Sequence, residues 1–338
     1  MLTADEIAGR TAHAVAAATA AGTELGLRVD EPRVLYDVFS VVVHLAPAPV
    51  VVRVPTVVPP SYAKAPDVQL AQQRAELAVT GWLADRGYPV VPPSPLVPRE
   101  PVRRDGFSMT FWQFVEQLPD AEPDMASRME QTALLHAALR DYDAGDLGFW
   151  APFGTYIPEG LAELQRLPDL IDAADLERAQ REWAVIAPIL TSRKAFEAAF
   201  PTVELQPIHG DAPYHNMIAT PEGELWSDFE LVTVGAVESD LALVGPEALA
   251  TYDAAAVRLG LRPLDAGVLR VTEAAGQLAM IAALAMAPQL PMLVDGIAPM
   301  VDLWRSTPAL SSCASDPKMS ALGGVSAYKH GHSRGRRG

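Results

Sequence analysis

Residues 205–230 read LQPIHGDAPYHNMIATPEGELWSDFE, and the spacing of the polar residues inside this stretch organises the rest of the chain around it. Asn216 precedes a short apolar run, residues 217–219. Thr220-Pro221-Glu222-Gly223 then supplies turn residues, and Leu225-Trp226 leads back towards Asp228. Two short strands joined by such a turn bring their outer ends together. Asn216 and Asp228 are therefore expected side by side, offering an amide oxygen and a carboxylate, the oxygen ligands that Mg²⁺ takes alongside phosphates and water. Asp211 stands five residues before Asn216 on a tight His-Gly-Asp loop. A carboxylate there can accept a hydroxyl proton or orient an attacking oxygen, the base-like role in phosphoryl transfer.

Bulk properties narrow the classes. A chain of 338 residues, 49% of them apolar, can bury a substantial core as one large domain or two lobes. The formal net charge of −16 argues against a nucleic-acid partner, because neutralising phosphates takes clustered Lys and Arg. It is compatible with a cationic small molecule, and otherwise acts on solubility. The single cysteine, Cys313, allows neither a disulfide framework nor a Cys-ligated metal. No run reaches the roughly 18 uninterrupted apolar residues of a membrane span, and the N-terminus carries acids where a signal peptide carries positive charge. A cytoplasmic location is expected, with no membrane partner.

Residues 3–22 are Ala-rich and open on Thr3-Ala4-Asp5-Glu6, which predicts a capped helix. Residues 34–45 and 50–54, separated by Ala46-Pro47-Ala48-Pro49, predict two antiparallel strands, the second carrying Arg53. Residues 67–86 predict a helix with Asp67 as N-cap and Gly87 as its stop. Residues 107–115 read as a strand, and a lobe boundary is placed near its end. Beyond it the texture is helical: residues 125–142, 156–167, 176–187, 192–199, 247–259 and 264–286. From Pro308 onward Ser, Gly and basic residues, among them Arg334, Arg336 and Arg337, predict a disordered, solvated tail. The expected division is a nucleotide-binding lobe over 1–115, a helical catalytic and substrate lobe over 116–307, and the tail over 308–338.

His209-x-Asp211-x-x-x-x-Asn216 followed by Asp228-Phe229-Glu230 resembles the aminoglycoside phosphotransferase and choline kinase family, relatives of protein kinases. Gly235-Ala236-Val237-Glu238-Ser239-Asp240-Leu241-Ala242 is similar to the family's Gly-Pro-x-x-x-Asp-Leu-Ala stretch, and Val50–Pro55 looks like its nucleotide-lobe strand; the resemblance covers roughly residues 33–305. It implies an α+β, two-lobed protein-kinase-like fold. It also implies transfer of the γ-phosphoryl group of ATP, or GTP, with Mg²⁺, to a hydroxyl of an antibiotic or metabolite: aminoglycoside-like, amino alcohol or sugar. Asp211 takes the catalytic place, and Asn216 and Asp228 the metal-binding ones. Arg53 stands where relatives carry the cation that contacts ATP phosphates and pairs with a helix glutamate, here Glu76. Arg for Lys keeps the charge and adds a planar fork.

The supporting residues follow from the same resemblance. Asp240 is expected to hold the catalytic loop by hydrogen bonds, His209 to brace it, and Glu230 either to assist a second metal or to be solvated. Residues 111–114, Phe-Trp-Gln-Phe, resemble the interlobe hinge, placing Phe114 near adenine, although an aromatic strand is core by default. The turn near residues 37–40 contains no glycine, leaving Ser40 and backbone amides to cover phosphates. His136 reads as a packed helix residue. Pro213-Tyr214-His215 replaces the family's His-Pro-Gly, which leaves the acceptor open. Two other readings are a catalytically silent kinase-like binding protein and a metal hydrolase built on His209, Asp211 and His215. Protein kinase activity is disfavoured by Asp-Phe-Glu in place of Asp-Phe-Gly.

Overall fold

The computed structural model describes residues 1–59, 61–62, 65–118 and 121–310, with only the backbone of Ala151 and Pro152. The tail expected over 308–338 lies outside the described residues from 311 onward, and with it Cys313 and the terminal arginines.

Helix α1, Ala4–Glu24, begins in a reciprocal cap: the Thr3 amide donates to Glu6 Oε2 at 2.8 Å, and the Glu6 amide donates to Thr3 Oγ1 at 3.3 Å. Its buried alanines, Ala14, Ala17, Ala18 and Ala21, recur every three or four residues and lie flat against a sheet. That sheet has the order β1-β2-β3-β5-β4, from strands Val29–Asp37, Ser40–Pro47, Val50–Pro55, Phe107–Gln113 and Val102–Arg104, paired antiparallel throughout. The expected single strand over 34–45 is two strands. Their reversal at Val38-Phe39 lacks Gly or Pro and falls within the glycine-free turn expected near residues 37–40. The short β4 was not expected either.

The central strand β3 fixes the first site residue through the two-residue period of a strand. Val50, Val52 and Val54 face α1, whereas Val51 packs with Leu77 and Trp112 on the opposite face. Arg53 shares that second face, towards helix α2, Pro66–Ala84. Asp67 lies in the first turn of α2 rather than capping it; the cap position is Ala65, and Pro66 starts the helix as proline can. Gly87 follows the helix at φ +76°.

The helical region comprises α3 (Met125–Leu139), α4 (Ala151–Leu164), α5 (Ala173–Leu190), α6 (Arg193–Ala199), α7 (Pro246–Arg258), α8 (Ala266–Ala283) and α9 (Leu293–Ser306). The α9 helix was not expected because Pro299 interrupts its pattern, yet Leu293, Ile297, Val301 and Trp304 line its buried face. Together α8 and the following turn, Ala266–Met286, are long and apolar enough to cross a membrane; in this fold α8 packs among α4, α5 and α9 in the main core.

Between these helices two short pairings build the loop region. Strand β6, Gln206–Ile208, pairs with β9, Thr233–Gly235, and the hairpin β7–β8, Met217–Thr220 with Gly223–Trp226, stands between them. The hairpin is anchored by Trp226, fully buried, whose amide donates to Pro89 O at 2.8 Å. N-terminal and helical parts also meet through α1, where the Leu2 amide donates to Pro288 O and Arg10 Nη1 to Gln289 O, both at 2.8 Å.

Candidate active site

Because β6 pairs with β9, the chain leaving β6 and the chain entering β9 emerge at one end. The first carries His209, Gly210 and Asp211, the second Asp228 and Glu230. Gly210 is required here: it sits at φ +88°, and a Cβ would collide with the Leu231 carbonyl. Asp228 is itself left-handed, at φ 61° and ψ 54°, a conformation that costs a non-glycine residue energy and clusters at working sites.

Asp240 holds the loop from below. Completely buried, it accepts the Gly210 amide on Oδ1 and the His209 amide on Oδ2, both at 2.8 Å. His136 of α3 donates from Nε2 to the same Oδ2 at 3.0 Å, while its Nδ1 accepts from Tyr252 of α7 at 2.7 Å. His209 accepts the Asp211 amide on Nδ1 at 3.3 Å and donates from Nε2 to Ser227 O at 2.9 Å. With both ring nitrogens engaged by backbone, His209 has none left for a metal, which removes a ligand from the hydrolase reading.

Asn216 and Asp228 lie at the hairpin mouth, joined through Ser227, whose amide and hydroxyl both donate to Asn216 O. Asn216 Nδ2 donates to Asp211 O at 2.6 Å and to Asp211 Oδ2 at 3.4 Å, which commits its nitrogen and leaves its amide oxygen free to act as a ligand. Arg53 reaches in from β3. Its Nη1 donates to Asp228 Oδ1 at 2.9 Å and Glu230 Oε2 at 2.5 Å, and its Nη2 to Glu76. The guanidinium is 9% exposed, so this is no surface pair.

One cation is thus divided among three carboxylates. Burial pushes Glu76 up to about 8 in spite of the attraction of Arg53, with Asp228 and Glu230 adding to the rise. Burial and Asp228 push Glu230 up to about 7. Burial works against the charge of Arg53, but Glu76, Glu230 and Asp228 overcome it and hold the guanidinium protonated. Asp211 is raised too, by burial first and then by Asp228, against His209 and Asn216. For a divalent cation the cavity offers the Asp228 carboxylate and the free amide oxygen of Asn216 at the hairpin mouth, a set that suits Mg²⁺ completed by phosphates and water; no group of three or more His, Cys, Asp or Glu side chains placed to hold a metal ion occurs among the described residues.

Arg53, Glu76, Asp211, Asn216, Asp228 and Glu230 all line one cavity of about 450 Å³, and Ser40 lines it from the β1–β2 turn. Phe114 does not. It stacks on His44 with ring centroids 4.0 Å apart, and its amide donates to Pro49 O. The ring packs in a side cluster with Val42, Val51 and Trp112, and of these Val42 also lines the cavity.

Several contributors were not read from sequence. Arg128 of α3 donates from Nη1 to Tyr214 O at 3.0 Å and from Nε and Nη2 to Glu224, tying the Asp211–Asn216 loop to the hairpin. Gln72 donates to Glu230 O at 2.6 Å. The four-residue spacing of Gln72 and Glu76 on one helix face was the available signal. Arg128 gave none, since a polar residue on an amphipathic helix reads as ordinary, whereas His136 is the packed helix residue expected, fully buried.

No protein-family model matches the chain, and no curated protein matches it in sequence. Solved structures match its fold. The microcompartment-associated aminopropanol kinase is 17% identical, with a TM-score of 0.54, over 87% of this chain and 99% of its own. A choline/ethanolamine kinase family protein from Mesorhizobium loti is also 17% identical, with a TM-score of 0.52, over 89% of this chain and 98% of its own. The GDP complex of wild-type aminoglycoside 2'-phosphotransferase-IIIa is 12% identical, with a TM-score of 0.53, over 83% of this chain and 95% of its own. The chain accordingly has the two-lobed kinase-like fold of these small-molecule kinases, a small β-rich lobe followed by a larger helical one.

Proposed function

We propose that this chain is a phosphotransferase that moves the γ-phosphoryl group of a nucleoside triphosphate, ATP or GTP, to a hydroxyl of a small molecule. One observation carries the reading: Asp211, Asn216 and Asp228, from separate stretches, line a single cavity together with Arg53, the cation of the nucleotide-lobe strand. The structural neighbours, whose names include small-molecule kinases and a phosphotransferase bound to GDP, support it by fold. In this reading residues 1–115 hold the nucleotide and residues 116–307 the acceptor.

Asp211 accepts a hydrogen bond from the acceptor hydroxyl and takes its proton as the oxygen bonds to the γ-phosphorus; the bond from that phosphorus to the β–γ bridging oxygen breaks, releasing the diphosphate. Its raised proton affinity suits this role. Asn216 and Asp228 would hold Mg²⁺, which when bound neutralises charge on the phosphates. Ser40 closes the phosphate side, and Arg53 steadies both Asp228 and Glu230.

The test is Asp211→Asn in the full chain, with Mg²⁺, ATP and a panel of aminoglycosides, amino alcohols and sugars, followed by mass spectrometry for an added phosphate. The wild type should phosphorylate at least one acceptor, and the variant should lose about 10²- to 10⁴-fold in turnover while binding nucleotide as before. Nucleotide bound without transfer to any acceptor would favour the catalytically silent binding protein.

A further inference from the structure

Helix α1 covers one face of the sheet, and its first half also grips two other parts of the molecule. It reaches the helical lobe at the segment between α8 and α9, where the Leu2 amide donates to Pro288 O and Arg10 Nη1 to Gln289 O, both at 2.8 Å. Gln289 in turn donates from Nε2 to Val58 O at 3.3 Å, and Ala285 and Met286, just before it, line the cavity. The next residue of α1 binds the sheet instead. Thr11 Oγ1 donates to Asp37 Oδ2 at 2.6 Å, closer than to the Ile7 carbonyl of its own helix at 3.0 Å, as expected where the acceptor is charged. Asp37 ends β1 and enters the reversal whose Phe39, with Ser40 after it, lines the cavity.

That reversal has no glycine, so its backbone keeps one shape only where its neighbours hold it. Three sides do so. Thr11 takes Asp37; Val38 packs on the core cluster of the helical lobe, to which Val57 belongs; and Phe39 O accepts the Thr56 and Val57 amides at 3.0 and 2.9 Å. The α1 side is the least secure of the three, because Arg10 Nε and Nη2 and Asp37 Oδ1 are closed to solvent without a hydrogen-bond partner. Polar atoms left unpaired in this way cost free energy, which marks a contact that opens before the core does. We infer that Arg10 and Thr11 are positioning residues: through them α1 holds the β1–β2 turn over the cavity and ties it to the helical lobe, so that the turn covers a bound triphosphate only while α1 is seated on both. The inference rests on the phosphotransferase reading for the triphosphate, whereas the hold on the turn does not.

The test is hydrogen–deuterium exchange of the full chain, read over residues 36–41, together with calorimetric titration of a non-hydrolysable ATP analogue and Mg²⁺. Thr11→Val removes the hydroxyl at nearly constant volume and Thr11→Ser keeps it. Thr23→Val, which removes a hydroxyl bonded to Thr19 O at the far end of the same helix, is the control. Thr11→Val should exchange about tenfold faster over the turn and bind the analogue about tenfold more weakly, the scale of one charge-assisted bond. Thr11→Ser should restore both readings, and Thr23→Val should leave both unchanged. Arg10→Met should act as Thr11→Val does and add little to it, because either loss unseats the same helix; a double loss equal to the product of the single ones overturns the tie between lobe and turn. A lower urea midpoint with unchanged exchange and affinity, or equal effects of Thr11→Val and Thr23→Val, overturns the inference. Should Thr11→Val fail to fold, Arg10→Met decides by the same two readings. No binding of the analogue by the wild type overturns the covering of a triphosphate, and exchange then decides the hold on the turn. Failure of the phosphotransferase reading looks different: exchange and affinity still depend on Thr11, but no phosphate is transferred.

Discussion

Asp240 is the residue whose replacement the structure allows to be quantified. It touches no substrate, yet its two oxygens receive three donors, the amides of His209 and Gly210 and the Nε2 of His136, in a site fully closed to solvent. Asn is isosteric but neutral, and its amide nitrogen must replace one oxygen. Set at the Oδ1 position it faces the Gly210 amide donor to donor; set at Oδ2 it faces two donors. At least one charge-assisted bond of about 1.5–3 kcal/mol is therefore lost. The bonds that remain lose their ionic partner and weaken by roughly half. Asp240→Asn should then destabilise the fold by roughly 3–5 kcal/mol, a large part of the about 5–15 kcal/mol that holds a typical domain. The assay is urea unfolding, paired with turnover measured where both proteins remain folded. Turnover should fall by about 10² or more, because Asp211 rides on the two amides released and small misplacements are costly in phosphoryl transfer. Asp253→Asn is the control, since Asp253 accepts one amide, that of Leu264, at 2.9 Å and lies outside the cavity; it should cost about 1 kcal/mol and leave turnover intact. A loss below about 1 kcal/mol for Asp240→Asn, with normal turnover, would refute the argument that this carboxylate holds the loop.

Gly210→Ala forces a Cβ onto the Leu231 carbonyl at a left-handed position, so it should cost at least about 2 kcal/mol in urea unfolding and disorder the adjacent Asp211; a neutral outcome would mean that the loop has freedom the structure denies it. Stability should also depend on pH through the carboxylates around Arg53. Glu76 is held near 8 in the fold against 4.5 when unperturbed, so between those limits the folded protein keeps a proton that the unfolded chain has released. Stability is then greatest at the acid end and declines as pH rises towards 8, with a slope of at most about 1.4 kcal/mol per pH unit for this group. Glu76→Gln should flatten the decline in a thermal unfolding series, and an unfolding temperature that rises over the same window contradicts the assignment.

What could be read from sequence was what local chemistry writes down. Thr220-Pro221-Glu222-Gly223 announces its turn, and the observed hairpin follows it residue for residue. The alternation in Val50–Pro55 likewise sets Arg53 opposite the valines that meet α1. Contacts made at long range left no such trace. Arg128 reaches the Tyr214 carbonyl across 86 residues, and Tyr252 reaches His136 across 116. Phe114 is of the same kind, since an aromatic after a strand can turn to either neighbour, and it stacks on His44 of β2.

The charges of the cavity also constrain the order in which it can work. Arg53 is the only cation lining it among the described residues, and three carboxylates already hold it. A triphosphate approaching this cluster meets Asp211, Asp228 and Glu230 before it meets a free positive charge, so the protein alone repels the ligand that its fold would hold. The Nε of Arg53 is buried, so in the phosphotransferase reading Arg53 serves phosphate oxygens by giving up a carboxylate once another cation has taken Asp228. In that reading a divalent cation arriving with the nucleotide is a condition of binding rather than an aid to later chemistry. In the phosphotransferase reading an acidic cavity of this kind disfavours a nucleotide stripped of its metal, which gives selectivity by exclusion.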